Sequence, residues 1–439
     1  MISGKRMFRT GMMSLAAIGL LAMSAPGTMA AMEGSISHHD ENASGVDQQW
    51  TVLVGGATKD QAFQAMGFFP SVMTVDAGDT VHFAFTGVHT VSFPGKNGQL
   101  GARGNFAPAG GHSYDGSTYT SSGMGVPHQL YSLKFTKPGV YPYYCEMHAG
   151  MAGVIIVQSA GMKYPFTQEQ YNKLATTETQ TDLMAGKRAQ MGIQNMMMGK
   201  PGPHGTTIWS VLTDVPEPLS YTLNLAKTGG SSVSGTATFS MEKPGTWKVA
   251  LNLAGLQVGK TYTSALDLGA SGSGVTVPGS SRFPSFQPSV NGTADVSSTV
   301  AANAIPTGTW FVDVMHNSGG AVASGMVNYP SYAYERFDMG TIHIHVGDTI
   351  VWTELGANEA HTVTFLPKGW KDIPNESMAP IPAGGHVYRG TGFFNSGYLF
   401  PGMSYELTFE KAGTFEYRCL LHDVIGMYGR VDVTPQKGH

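Results

Sequence analysis

The sequence predicts an all-β protein: two Greek-key β-sandwiches flanking a middle β-sandwich domain, with a partly helical linker. Three observations carry this. Only 13% of the 439 residues are charged, while 58 are glycine and 24 proline, a composition of short strands joined by many turns. Candidate strands such as Thr80–Phe85 and 349–352 are rich in β-branched and aromatic residues. A unit of roughly 110 residues also occurs twice, about 270 residues apart, and its strand-and-turn pattern is that of a two-sheet sandwich.

Taken in order, residues 1–31 are expected to be an export signal. Lys5, Arg6 and Arg9 precede the apolar run 11–25, and Thr28-Met29-Ala30 offers small residues for cleavage. That run is short for a membrane span, and no other stretch approaches one. The mature protein is therefore expected in the periplasm or secreted, with no transmembrane segment. Its removal takes away three positive charges and no negative one, so the net charge moves from −4 to −7. Nothing basic remains to suggest nucleic acid as a partner. Residues 32–48 are polar and expected to be disordered.

The first repeat is expected over 49–158. It contains Val75-Asp76-Ala77-Gly78-Asp79-Thr80-Val81, His89-Thr90-Val91-Ser92-Phe93, and the run from Phe135 through Pro138-Gly139 to Tyr143-Tyr144-Cys145. The second, expected over 329–436, contains Val346-Gly347-Asp348-Thr349-Ile350, His361-Thr362-Val363-Thr364-Phe365, and the run from Phe409 through Ala412-Gly413 to Tyr417-Arg418-Cys419. Between them, 159–204 reads as a partly helical linker, opened by a capping box of Thr167 and Gln170 and stopped by Pro201. A middle β-rich domain follows over 205–328, with candidate strands 220–225, 235–239, 246–253, 261–268 and 309–315. Its segment 255–262 loosely resembles sandwiches of the superoxide-dismutase-like or CHRD type, but the metal-binding histidines of such a dismutase are missing, and it reads as a spacer or docking domain.

Two cysteines in an exported protein would ordinarily form a disulfide. Their surroundings point elsewhere. Cys145 lies in Cys145-x2-His148-x2-Met151 and Cys419 in Cys419-x2-His422-x4-Met427, each between two strands. His89 and His361 stand at neighbouring strand ends. One thiolate, two imidazoles and a weak thioether suit a copper electron-transfer site, whereas a thioether is a poor ligand for zinc.

On these motifs both repeats resemble the cupredoxins, the blue copper fold of plastocyanin, pseudoazurin and amicyanin. The second loop has the plastocyanin and pseudoazurin spacing, and the first has that of amicyanin. The resemblance implies two type 1 copper ions, one on His89, Cys145, His148 and Met151 and one on His361, Cys419, His422 and Met427. It also implies electron transfer between redox partner proteins, with the edges of His148 and His422 near the surface. Thr90 and Thr362 stand where plastocyanin has asparagine, and a threonine hydroxyl can equally tie two loops together.

Two other functions fit parts of the chain. A copper enzyme of the nitrite reductase or multicopper oxidase type would carry a His-Cys or His-Cys-His junction, but Tyr144 and Glu146 flank Cys145, and Arg418 and Leu420 flank Cys419. The pair His343 and His345 is expected on one solvated face of a strand. A copper binding or delivery protein would use the linker methionines Met184, Met191 and Met196-Met197-Met198 for Cu(I). The plainer reading packs those methionines against a neighbouring domain.

Overall fold

The computed structural model describes residues 47–96, 106–148, 151–193, 199–216, 220–228, 230–243, 246–268, 283–301, 308–317, 319–329, 331–356, 359–370 and 378–436. The expected export signal, most of the polar stretch 32–48 and Met196-Met197-Met198 lie outside them. No helix among the described residues is long and apolar enough to cross a membrane.

In the first repeat, alternating apolar residues give β1 (Gln49–Ala57), β2 (Phe63–Phe69), β3 (Val72–Asp76), β4 (Thr80–Phe85), β5 (Ser92–Phe93), β6 (Ser113–Tyr114), β7 (Thr120–Ser121), β8 (Leu130–Phe135), β9 (Gly139–Tyr144) and β10 (Ala152–Gln158). β2-β1-β4-β8-β6 form one sheet and β3-β10-β9-β5-β7 the other. Their inner faces share an aromatic-rich core that includes Phe68, Phe83, Phe93 and Tyr143.

The capping box opens α1 (Gln168–Ile193), with the Thr167 N–H donating to Gln170 Oε1 and the Gln170 N–H donating to Thr167 Oγ1. The helix lies on β1 and β2. Tyr171 bonds the backbone of Thr74, and Glu178 accepts from the N–H and hydroxyl of Ser71. Met184 and Met191 are exposed, so they do not supply the packing expected of them.

β11 (Lys200–Pro201) and β12 (Thr207–Leu212) lie where the linker and middle domain meet in the sequence, yet they belong to the second sandwich. β12 pairs in parallel with β22 (Thr349–Thr353), matching Ile208 with Thr349 through Leu212 with Thr353. Only then does the chain enter the middle sheet: β13 (Ser220–Lys227), β14 (Ser234–Lys243), β15 (Thr246–Ala254), β16 (Tyr262–Leu268), β17 (Ala294–Ala301), β18 (Gly308–His316) and β19 (Ala321–Tyr329). These seven strands are hydrogen-bonded in the order β16-β18-β19-β13-β14-β15-β17. One core gathers Phe239, Val249 and Leu251 from one wing and Leu266, Val312 and Val314 from the other, so the two wings close face to face.

After β20 (Tyr332–Tyr334), β21 (Thr341–His345), β23 (Thr364–Phe365), β24 (Val387–Tyr388), β25 (Phe394–Asn395), β26 (Ser404–Phe409), β27 (Gly413–Arg418) and β28 (Tyr428–Thr434) complete the second sandwich. Its sheets are β11-β12-β22-β26-β24 and β21-β28-β27-β23-β25. β20 pairs with β2 of the first repeat, Phe63 opposite Tyr334 and Ala65 opposite Tyr332. The Met66 N–H donates to the Ser331 carbonyl, and the Glu335 N–H to that of Ala62. This joint is unchanged when the repeats are exchanged, and that exchange equates Met66 with Glu335. The matched registers of β1–β4 and β12–β22 likewise equate Gly55 with Asp214 and Phe85 with Glu354.

Candidate metal centres

Strand ends and loops at one end of each sandwich bring the expected histidines and cysteine together. In the first repeat the cysteine N–H donates to the Met151 carbonyl, and in the second to that of Met427, so each loop closes on its own methionine. His89 Nδ1 lies 2.9 Å from His148 Nδ1, which lies 3.4 Å from Cys145 Sγ. In the second repeat His361 Nδ1 and His422 Nδ1 are 3.1 Å apart, and Cys419 Sγ is 3.9 and 3.6 Å from them. The centre of that triangle lies about 2.1 Å from all three atoms, a metal–ligand bond length. The donor set therefore fits a metal ion of copper's softness. All eight expected ligand residues are buried or nearly so, and both cysteines are free thiols.

The threonines after His89 and His361 fix the thiolates. Each gives its N–H to a cysteine sulfur at 3.4 Å. Each hydroxyl accepts from the residue after that cysteine, Glu146 at 2.7 Å and Leu420 at 2.8 Å. Burial alone would push both thiols up, but the facing imidazoles reverse this. Cys145 is held well below the ordinary thiol value and Cys419 at about 5, so both favour the thiolate that binds metal. Burial lowers His89. In His148, His361 and His422 it is outweighed by thiolates and carboxylates, which raise them well above the usual histidine value.

Two features were not legible in the motifs. The first is the position of the loop histidines, which are not at the surface. His148 Nε2 is 3.1 Å from Glu359 Oε1 and His422 Nε2 is 3.0 Å from Glu359 Oε2, with side-chain exposures of 7% and 13%. One carboxylate thus joins the two centres. Burial opposes its ionisation, but the two imidazoles hold it well below the usual carboxylate range. Glu359 falls in a stretch of the second repeat longer than its counterpart, Gly87 to His89, so the repeat gives no hint of it.

The second feature is a set of carboxylates around the second centre only. Asp214 Oδ2 and Glu354 Oε2 each lie 3.8 Å from His361 Nε2, and all three residues are fully buried. Burial, opposed by His361, raises Asp214 to about 6 and Glu354 to about 8. Glu335 faces the Nδ1 side of the same centre. The first repeat has Gly55, Phe85 and Met66 at the equivalent positions. A side chain at Gly55 would collide with His89, since a Cβ there would stand 2.4 Å from Nε2. His343 and His345 point to solvent along one face of β21, as expected, with His343 beside Asp432.

A sequence profile of the copper binding proteins of the plastocyanin/azurin family matches residues 55–158 and 331–434, the second match beginning after the middle sheet. The chain is 34% identical over 96 residues to the chloroplastic plastocyanin of Chlamydomonas reinhardtii, covering 21% of this chain and 60% of that protein. It is 35% identical over 96 residues to the plastocyanin of Scenedesmus fuscus, covering 21% of this chain and 89% of that one. Among solved structures, a reduced amicyanin variant shares 25% identity and a TM-score of 0.17, over 23% of this chain and 74% of the other. A purple cupredoxin from Nitrosopumilus maritimus shares 24% and 0.17, over 23% and 82%. With both repeats matched and two histidines and a cysteine gathered in each, the chain belongs to the plastocyanin/azurin family of copper-binding proteins, as a cupredoxin of two copper-binding domains.

Proposed function

We propose that the protein is an exported electron carrier, periplasmic or secreted, with two type 1 copper centres that exchange electrons with each other and with redox partner proteins. His89, Cys145, His148 and Met151 hold one copper, and His361, Cys419, His422 and Met427 the other. The observation that carries this reading is the meeting of His148 and His422 on the two oxygens of Glu359. Bound copper supplies one-electron redox chemistry between Cu(I) and Cu(II). The protein supplies a rigid, water-excluded donor set in which the thiolates are fixed by Thr90 and Thr362 and change little between the two states. Glu359 accepts a hydrogen bond from each Nε2–H and connects the two rings through one carboxylate. With both imidazole edges buried, external partners meet the protein elsewhere. Protein donors close each centre and leave no position for a substrate, which favours a carrier over an enzyme.

Loading the full chain with Cu(II), counting copper and recording visible absorption and EPR tests the reading. Two coppers with type 1 signals are expected, and Cys145→Ser and Cys419→Ser should each remove one. An additional type 2 signal would point to an enzyme instead. In stopped-flow reduction, Glu359→Gln should slow equilibration between the centres on the order of tenfold with both spectra intact. An unchanged rate would refute the connection through Glu359.

A further inference from the structure

We infer that Glu335 is a carboxylate ligand of the copper in the second centre, which makes the two centres chemically different. This deepens the electron-carrier reading and rests on it.

The Glu335 side chain is fully buried, and neither of its oxygens has a hydrogen-bond partner. A carboxylate out of water without a donor or a cation is strongly disfavoured, so something must face it. The polar atoms before it are the two that would bind metal: His422 Nδ1 at 2.9 Å from Oε2, and His361 Nδ1 at 3.9 Å. Each of these nitrogens presents a lone pair, not a proton, once it holds a metal. Oxygen and nitrogen at 2.9 Å would then be two acceptors face to face, unless a cation lies between them. The separations 2.9, 3.9 and 3.1 Å define a triangle whose centre is about 2.0 Å from Oε2 and both nitrogens, the length of a metal–oxygen or metal–nitrogen bond. An ion held by the two histidines at that point would also satisfy the carboxylate.

The position is built by the joint between the repeats. The Glu335 N–H is anchored on the Ala62 carbonyl at 2.9 Å, directly after β20 leaves its pairing with β2. The symmetric position in the first repeat holds Met66, buried but uncharged. A hard anionic oxygen favours Cu(II) over Cu(I), whereas thioether and thiolate favour Cu(I). The second centre is therefore the stronger reductant, and electrons run from it through His422, Glu359 and His148 to the first.

The test isolates each centre in the full chain. Cys145→Ser leaves only the second blue centre and Cys419→Ser only the first. In the Cys145→Ser chain, Glu335→Gln should shift the sulfur-to-copper absorption and the EPR hyperfine splitting. It should also raise the preference for Cu(I) by about tenfold, which is 59 mV for one electron. In the Cys419→Ser chain the same substitution should change none of these. An unchanged band, splitting and potential in the Cys145→Ser chain would overturn the assignment of Glu335 while leaving the carrier reading intact. Absence of any sulfur-to-copper band in that chain with Glu335 in place would instead sink the carrier reading, and this inference with it. Should Glu335→Gln not hold copper, X-ray absorption decides: the Cys145→Ser chain must show one more oxygen or nitrogen neighbour than the Cys419→Ser chain, and equal coordination overturns the proposal.

Discussion

The smallest unit that decides whether these centres work is a threonine. Thr90 and Thr362 each couple the strand end bearing the first histidine to the loop bearing the cysteine, through one hydroxyl and one N–H. Thr90→Val keeps the shape and the N–H–sulfur contact but leaves the Glu146 N–H without its acceptor. The expected cost is about 1–3 kcal/mol in denaturant melts of the apoprotein, with a broadened EPR signal from the first centre alone. Equal effects on both centres would show that the threonine acts on the fold and not on its own loop. The clusters of His89, Cys145 and His148 and of His361, Cys419 and His422 were legible because they crowd into short motifs repeated twice, and because thiolate and imidazole beside a thioether suit few metals. Glu335, Glu359, Asp214 and Glu354 were not legible. They reach the second centre from separate strands and loops, and a lone acidic residue in a sequence carries no mark of being buried.

At the scale of elements, the Gly-Asp turns show how the repeat builds the same sandwich twice. The Asp79 carboxylate, fully buried, accepts from the Gln48 and Asp76 N–H groups, the Trp50 indole and the Tyr164 hydroxyl. Asp348 accepts from the Thr207 and His345 N–H groups and the Trp209 indole. Asp79→Ala would strand several donors at once, and its expected cost is about 3–5 kcal/mol by chemical denaturation. A loss below about 1 kcal/mol would mean that water replaces the carboxylate easily. The equivalence of Trp50 and Trp209 also explains why the opening of the second sandwich was misplaced. Its first long strand, β12, was assigned to the middle domain because its partner, β22, lies some 140 residues further on, matching Ile208 with Thr349. Strand patterns report local pairing well, but no local signal announces that a whole sheet has been inserted between partners. The capping box of Thr167 and Gln170 is entirely local, and it opens α1 as its spacing predicts.

Over the whole molecule, this insertion turns three sheet systems into one interlocked body. The middle sheet leaves the second sandwich after β12 and returns at β20, where the Tyr332 hydroxyl bonds the Pro216 carbonyl and the Tyr334 N–H bonds Asp214. It packs on the first sandwich. Along β10, Ile155 and Val157 face the first core, while Val154 joins the core of the middle sheet with Ile156 and Val140 packed against it. β20 then adds itself to the edge of the first repeat's sheet. No sandwich can unfold without tearing backbone pairing or apolar packing from another, so the apoprotein is expected to lose near-UV circular dichroism, tryptophan fluorescence and calorimetric heat in one coincident transition, unlike a chain of independent domains. Val154→Asp places a charge in the contact between the middle sheet and the first sandwich. It should lower stability by about 3 kcal/mol or more and separate that transition into resolved steps. If the unsubstituted protein already unfolds in separate steps, the interlock contributes little, and the orientation that brings His148 and His422 onto Glu359 depends on that small joint region instead.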